Sequence, residues 1–305
     1  MRLAHGGAET IARAGAIVAA MLAGAVSVFS AGQQLQSGVP VIVGDEWVHV
    51  AVAGETWASI GARQGVTPAI LAARNGRTLR TPLAAGEAIV IDNRHLVLDP
   101  GVDGLLINVA QRLVFYFADG RLLAHYPIAA GRPDWQTPLG PFSVVLRETD
   151  PTWDVPPSIQ QEMRRARKPI LTTVPPGPNN PLGQYWLGLS IPGVGLHGTN
   201  APTSIYQFAT HGCIRLHPED IDALFAHVEE GEQGRIVYEP VLVAYDGRDV
   251  YVEIHPDRYR RAGDPMARVL ALLDGAGVRE LVDMEELADA VRRAEGLAVP
   301  VTKLK

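Results

Sequence analysis

The residues best suited to chemistry lie between His197 and Arg215. This stretch contains His197-Gly198-Thr199-Asn200 and, ten residues later, His211-Gly212-Cys213-Ile214-Arg215. A thiol attacks acyl carbons when a nearby base takes up its proton and later protonates the leaving amine. The two histidines close to Cys213 in the chain therefore predict a cysteine nucleophile, held as a thiolate by an imidazole base.

Gly212, beside the cysteine, favours a tight turn whose N–H groups converge on one point, as a tetrahedral oxyanion requires. Two other interpretations compete. A single cysteine is often an inert buried side chain. His197, His211 and Cys213 could instead bind zinc, but the usual closely spaced ligand pairs and a general-base glutamate motif are missing. The two histidine motifs together favour catalysis, and we expect neither a metal nor another cofactor.

Composition narrows the class of protein. The chain has 305 residues, which predicts two folded units with appendages. Its formal charge is −6, which argues against a nucleic-acid partner. Cys213 is its one cysteine, which excludes a disulfide scaffold and a multi-cysteine zinc cluster.

The N-terminus has the order of a secretory signal. Arg2, His5 and Arg13 precede an apolar run over 14–29, and small residues follow at 30–32. Residues 1–31 are therefore predicted to be a signal peptide, or alternatively an N-terminal anchor in the inner membrane formed by 14–29. An exported protein with one cysteine needs a reason for it other than an intrachain bridge.

The elements that must position these residues follow in three parts. Residues 45–93 predict a β-α-α-β module, with Thr67 and Pro68 opening its second helix and Asn75-Gly76 ending it. Residues 104–240 show the period-two pattern of strands. A proline-rich insert at 150–183 interrupts them, and loops of that length are commonly lids or disordered. Residues 241–305 predict a hairpin followed by two helices, whose role the sequence does not indicate.

Within the insert, a short helix is predicted over 158–168. It carries a basic stripe that either lines a lid over anionic substrate or is a solvated face, namely Arg164, Arg165, Arg167 and Lys168. After Pro218 a further helix is predicted, with a buried face at helical spacing formed by Ile221, Leu224, Phe225 and Val228.

The chain resembles the L,D-transpeptidase family, also called the YkuD or ErfK/YbiS/YcfS/YnhG family. Its motif is a histidine followed about fifteen residues later by Ser/Thr-His-Gly-Cys-x-Arg/Asn, matched here by His197 and Thr210-His211-Gly212-Cys213-Ile214-Arg215. Thr137-Pro138-Leu139-Gly140 and Asn180-Pro181-Leu182-Gly183 resemble the branch found in Gram-negative envelopes. The resemblance implies a mainly β fold with a β-sandwich catalytic domain.

Residues 45–93 resemble a LysM domain, which implies a grip on the glycan strands of peptidoglycan. The alternative is a degenerate module that only spaces the enzyme from the membrane. A LysM module and an exported chain together place the protein in the periplasm or cell envelope.

The family resemblance also implies residue roles. Cys213 is the expected nucleophile, and His197 the general base and acid, oriented by the carbonyl of Gly198. Backbone N–H groups of His211, Gly212 and Cys213 are expected to bind the oxyanion, with the His211 side chain supporting the site. The expected substrate-binding residues are Arg215, suited to a carboxylate, and Thr210.

The implied reaction uses a tetrapeptide stem of peptidoglycan. Cys213 attacks the bond between the third residue and D-alanine, and the acyl-enzyme passes to an amine of a second stem or of an outer-membrane lipoprotein lysine. Carbapenem-type inhibitors are expected to acylate the same thiol. Three alternatives stay open: an L,D-carboxypeptidase, an amidase acting on the same type of bond, and a silent LysM wall-binding protein. A papain-like fold would need a helix opened by the cysteine, and sortases lack the His-Gly-Cys motif.

Overall fold

The computed structural model describes residues 41–99, 101 and 103–304. The predicted signal segment, 1–31, lies outside the described residues. Within the described ranges, no helix has both the length and the apolar character needed to cross a membrane.

The first unit contains two helices and two pairs of short strands. Thr56 begins the first helix with a capping box shared with Ser59, and Gly65 ends it with a φ of 69°. Pro68 opens the second helix, but the Thr67 side chain makes no capping hydrogen bond. The β-α-α-β order matches the predicted pattern, with β2 antiparallel to β3 and β1 to β4. The elements are β1 (Ile42–Val43), β2 (Glu46–Val50), α1 (Trp57–Gln64), α2 (Pro68–Arg74), β3 (Ala88–Asp92) and β4 (His95–Leu96).

The central body is one mixed sheet of eight strands. In chain order these are β5 (Gly104–Asn108), β6 (Leu113–Ala118), β7 (Arg121–Pro127), β9 (Gly140–Thr149), β12 (Tyr185–Leu189), β13 (Gly195–His197), β15 (Ile214–Arg215) and β16 (Gln233–Val237). Their order across the sheet is β15-β13-β12-β9-β16-β5-β6-β7. A separate parallel pair is formed by β8 (Ala130–Gly131) and β14 (Phe208–Thr210).

The mainly β class is confirmed, and eight strands of the predicted catalytic domain form one continuous hydrogen-bonded sheet. Strand β9 is ten residues long and joins both halves of the sheet. Its first residues pair with β16, and its later residues, from Val144 onward, pair with β12. One long strand with partners on both sides therefore makes the two halves continuous.

The insert folds as a small hairpin around a helix. Strands β10 (Trp153–Asp154) and β11 (Thr173–Val174) pair antiparallel, and α3 (Pro157–Arg165) lies between them. Helix α3 buries none of its residues. It ends earlier than predicted, and Arg167 has a φ of 55°. The insert is therefore an ordered protrusion whose helix contributes no side chain to the core.

The remaining elements flank the sheet. Helix α4 (Pro218–Phe225) buries Ile221 and Leu224 against Leu187 and Leu196 of the main core, as its predicted apolar face requires. A second core lies between a C-terminal three-stranded sheet and two helices. Its elements are β17 (Val241–Tyr245), β18 (Val250–Ile254), α5 (Pro265–Ala276), α6 (Met284–Arg293) and β19 (Val299–Pro300); 3₁₀ turns occupy Pro202–Ser204 and Arg279–Leu281.

Candidate active site

Residues 210–213 form a tight turn, here called the cysteine turn, between β14 and β15. The Thr210 hydroxyl donates to the Cys213 carbonyl at 2.6 Å and accepts from the Gly212 N–H at 3.2 Å. Gly212 has a φ of +112°, which other residues rarely adopt. The Gly212 N–H, predicted to face an oxyanion, is thus used inside the turn. Thr210 is only 3% exposed and supports the turn.

The Cys213 thiol is partly exposed at the end of this turn. Its Sγ lies 3.5 Å from the Gly193 carbonyl oxygen, to which it donates. Burial raises the pKa of the Cys213 thiol, and the backbone of Gly195 and the charge of Arg215 only partly oppose this. The free side chain is therefore a neutral thiol at neutral pH, which corrects the predicted resting thiolate.

His197 is 4% exposed and has a fixed orientation. Its Nδ1 lies 2.7 Å from the Gly198 carbonyl oxygen, the partner expected from the sequence. Because a carbonyl only accepts, Nδ1 carries the proton and Nε2 is left as the basic nitrogen. Burial, and then the charge of Arg215, lower the pKa of His197 to about 3. The imidazole of His197 is therefore neutral at neutral pH.

The segment 180–183 packs behind His197. The buried Asn180 side chain donates to the Pro151 carbonyl at 2.7 Å and accepts from the Leu182 N–H at 2.9 Å. Gly183 has a φ of +69°, and a Cβ there would lie 2.9 Å from the Thr199 nitrogen. This close approach of two backbones fixes the peptide that holds the imidazole.

Trp186 is a site residue that the sequence analysis missed. It pairs with His197 between β12 and β13, and the rings stack with centroids 5.9 Å apart. A Cβ at Gly195 would lie 2.5 Å from the indole, and one at Gly188 would lie 2.9 Å from it. These two glycines make room for the indole. Strand alternation and two nearby glycines were its only sequence signals.

Arg215 lies two residues after Cys213 and has a hydrogen-bond donor left for a ligand. Its Nη1 donates to the Ser204 Oγ at 2.8 Å, and its buried Nε has no hydrogen-bond partner. Within the described ranges no carboxylate lies within 4 Å of the guanidinium. Burial lowers the pKa of Arg215, although the group remains a cation at neutral pH. An anionic ligand would supply the missing charge. Ser204 was not predicted.

His211 contacts the insert. Its Nε2 lies 2.8 Å from Oε2 of Glu162 on α3, and its ring meets Trp135 edge-on with centroids 4.8 Å apart. Glu162 also binds Arg132 at 2.9 Å. The predicted basic stripe is exposed throughout; Arg164 and Arg165 lie on α3, and Arg167 and Lys168 follow it. An acidic residue of the same helix makes the contact instead.

A second polar cluster is buried far along the chain from the cysteine turn. Ligand atoms of His95, Glu253 and His255 lie within 4.8 Å of one another. The Glu253 carboxylate, however, already faces both imidazoles at 2.9 and 2.7 Å and accepts from the Leu96 N–H at 2.6 Å and from Gln111 at 3.1 Å. These donors occupy the oxygens, so the cluster is a hydrogen-bond network. Among the described residues it is the one such triad, and His197, His211 and Cys213 do not form another.

Known proteins share the part of the chain that contains these residues. Residues 103–243 match the family model for the YkuD L,D-transpeptidase catalytic domain, a range that includes both the cysteine turn and His197. The chain is 30% identical over 230 residues to the probable L,D-transpeptidase ErfK/SrfK of Escherichia coli K12, covering 72% of this chain and 73% of that protein. It is 33% identical over 174 residues to the probable L,D-transpeptidase YbiS of the same strain, where it spans 56% of the relative.

Solved structures give a more partial match. An L,D-transpeptidase from Mycobacterium smegmatis aligns with 43% of this chain and 57% of its own, with a TM-score of 0.35 and 21% identity. No functional conclusion is drawn from this structural overlap.

Proposed function

The chain belongs to the L,D-transpeptidase family, and from this premise we propose that it is a peptidoglycan L,D-transpeptidase with Cys213 as nucleophile. One observation carries the proposal. Cys213 stands two residues before Arg215, whose Nε is unused and which has no carboxylate partner in the described chain. Arg215 is in turn the register partner of His197, whose Nδ1 is bound to the Gly198 carbonyl. A nucleophile, a base and an anion-binding group are the set that acyl transfer from a carboxylate-bearing peptide needs.

The proposed donor is a tetrapeptide stem ending in D-alanine. Arg215 binds a stem carboxylate, because a planar guanidinium pairs well with that group. Burial of the guanidinium strengthens this charge pairing relative to water. Ser204 fixes one end of the guanidinium, which leaves Nε for the ligand.

Acylation begins with proton transfer from the Cys213 thiol to Nε2 of His197 as sulfur attacks the carbonyl of the third residue. Neutral thiol and neutral imidazole are the starting states, so the base acts during attack. The oxyanion is bound by the N–H groups of His211 and Cys213, since the Gly212 N–H is used by Thr210. His197 then protonates the departing amine of D-alanine, and a thioester remains.

An amine resolves the thioester. It loses a proton to His197 as it attacks, and the thiol regains a proton when it departs. A diaminopimelate amine of a second stem would form a cross-link, and a lipoprotein lysine would tether that protein to the wall. Water in the same place gives the alternative activities, L,D-carboxypeptidase or amidase. A silent wall-binding role is less favoured, because Cys213, His197 and Arg215 are all present in the chain.

The remaining parts of the chain receive matching roles in this proposal. Residues 45–93 act as a LysM module on glycan strands, supported by the β-α-α-β order of the described elements. Residues 1–31 direct the chain to the periplasm. The C-terminal extension, 241–305, packs its own core and has no proposed catalytic role.

Product analysis with a disaccharide-tetrapeptide tests the proposal. Loss of D-alanine with dimeric muropeptides, absent in Cys213→Ala, is the expected result. A tripeptide product without dimers would show that the enzyme hydrolyses the bond or that it requires a protein acceptor. A carbapenem should add one mass adduct to the wild-type chain and none to Cys213→Ala. Folded wild-type protein that gives neither product nor adduct would overturn the assignment.

A further inference from the structure

We propose that Glu162 is a positioning residue that fastens the insert helix α3 to the cysteine turn through His211. The inference rests on the proposed function, because it gives the insert a part in acylation. Its geometry is independent of that function: one carboxylate bridges Arg132 at 2.9 Å and His211 at 2.8 Å.

Helix α3 depends on such polar contacts for its placement. None of its residues is fully buried, and its apolar side chains Ile159 and Met163 are only half-buried. The next residues are also open to solvent, and Ile170 and Leu171 are 47% and 44% exposed. Because apolar packing, the usual source of helix stability, is limited here, directed hydrogen bonds and ion pairs take a larger share in fixing the position of α3. Glu162 supplies two of these contacts to the main body.

The Glu162 carboxylate is well suited to bind His211 and Arg132 at the same time. The hydrogen bond from His211, and then that from Arg132, lower the pKa of the Glu162 carboxyl. It is therefore ionised at neutral pH and accepts from both partners. Charge-assisted hydrogen bonds of this kind are shorter and stronger than neutral ones.

Fixing the His211 ring restrains the cysteine turn. The ring is held at Nε2 by Glu162 and on one edge by Trp135. Its backbone N–H is one of the two proposed oxyanion donors, and Cys213 is two residues further. If the turn shifts by a fraction of an ångström, the thiol and the N–H groups are no longer aligned with the substrate carbonyl, and the rate of acylation falls steeply. Glu162 thus acts on the reaction through His211, without touching the stem.

The test compares Glu162→Ala and Glu162→Gln with Gln161→Ala, an exposed neighbour on the same helix. Acylation by a carbapenem is followed by intact mass, and amide hydrogen exchange is measured over 157–165 and 210–213. We expect Glu162→Ala to slow acylation about 10- to 100-fold and to speed exchange in both segments. Glu162→Gln keeps an acceptor and should recover part of the rate, and Gln161→Ala should match wild type.

His211→Ala and the double variant complete a cycle. If Glu162 acts through His211, the second substitution adds little to the first in both readouts. Additive effects, or faster exchange in α3 with the cysteine turn unchanged, would overturn the positioning role. Hydrogen exchange requires no substrate. A wild-type chain without transpeptidase activity would therefore refute the proposed function and still leave the Glu162 contact to be decided by exchange.

Discussion

His197 and Arg215 are register partners in the parallel pairing of β13 with β15. A cation is thereby placed beside the proposed base. The guanidinium opposes a positive charge on the imidazole, and burial opposes it more strongly, so the pKa of His197 falls to about 3. The same guanidinium favours a thiolate at Cys213, but burial outweighs it and raises that pKa. The resting pair is therefore neutral on both sides.

The first prediction concerns the pH dependence of Cys213 alkylation by iodoacetamide. Only the thiolate reacts, and its pKa is raised, so the rate should still be rising with pH above 8. No step should appear between pH 5 and 8 from His197, because its pKa of about 3 lies below that range. Arg215→Gln removes the one nearby cation that favours the thiolate, and should slow alkylation at pH 8.

The control is His197→Ala, which should leave the shape of the alkylation profile unchanged while abolishing D-alanine release. A plateau reached below pH 7 in the wild-type chain would indicate a thiolate–imidazolium pair and contradict the neutral resting state.

A second prediction concerns Thr210, whose hydroxyl links both ends of the cysteine turn. Thr210→Val keeps the shape of the side chain but leaves the Gly212 N–H and the Cys213 carbonyl without that partner. We expect a stability loss of about 1–3 kcal/mol and a marked fall in the rate of D-alanine release. Urea unfolding and product release measure the two effects.

Thr210→Ser keeps the hydroxyl and should retain both stability and most of the activity. A Thr210→Val enzyme as active as wild type would show that the turn holds its shape without this hydroxyl.

Sequence reasoning identified the groups that carry out chemistry because thiol, imidazole and guanidinium have distinctive reactivity and stand in a short segment. It placed His197, Cys213 and Arg215 in one site. It could not identify Ser204 or Trp186, since their function depends on which strands and turns meet in space. Glu162 was missed for the same reason, being 49 residues from His211 in the chain.

The elements of the fold also differ in how far the sequence predicts them. Strand β6 follows from a period-two apolar pattern, strand β17 from the predicted hairpin, and helix α4 from its apolar spacing. Strands of two or three residues, such as β13 and β15, are too short to produce a pattern and exist because neighbouring strands supply their hydrogen bonds. These short strands carry His197 and Arg215, so the site's geometry was the part least accessible from sequence.

A third prediction concerns Arg215 and its partner Ser204. Arg215→Lys retains the charge but loses the planar fork and the hydrogen bond to the serine. We expect KM for a stem with a free carboxylate to rise about 10- to 100-fold, the range of a lost hydrogen bond to a charged group. Ser204→Ala should give a smaller rise in KM with little change in kcat. Steady-state kinetics separates the two constants.

The matched control is Thr203→Ala, since Thr203 is exposed and adjacent to Ser204. Its KM should equal that of wild type. If Arg215→Lys lowered kcat alone, the arginine would act on the reaction step and the carboxylate assignment would fail.

The last prediction concerns the buried network that joins the N-terminal unit to the C-terminal hairpin. His95 has both ring nitrogens within hydrogen-bond distance of an oxygen, that of Glu253 at 2.9 Å and that of the Gly65 carbonyl at 3.0 Å. Glu253 is fully buried beside it. Glu253→Gln replaces an accepting carboxylate oxygen with an amide nitrogen that only donates, so a buried donor loses its acceptor, and we expect a loss of about 1–3 kcal/mol of stability.

The direction in which stability changes with pH follows from the lowered pKa of the Glu253 carboxyl. The donors around Glu253 outweigh its burial and lower its pKa to about 2, below the usual value of about 4.3 in an unfolded chain. Its contribution is therefore complete above about pH 5 and disappears as the pH falls towards 2. The stability difference between wild type and Glu253→Gln should narrow over that range. Glu285→Gln, at an exposed position of α6, should track wild type throughout. A difference between wild type and Glu253→Gln that stayed constant from pH 6 to pH 2.5 would show that the charge of Glu253 does not stabilise this junction.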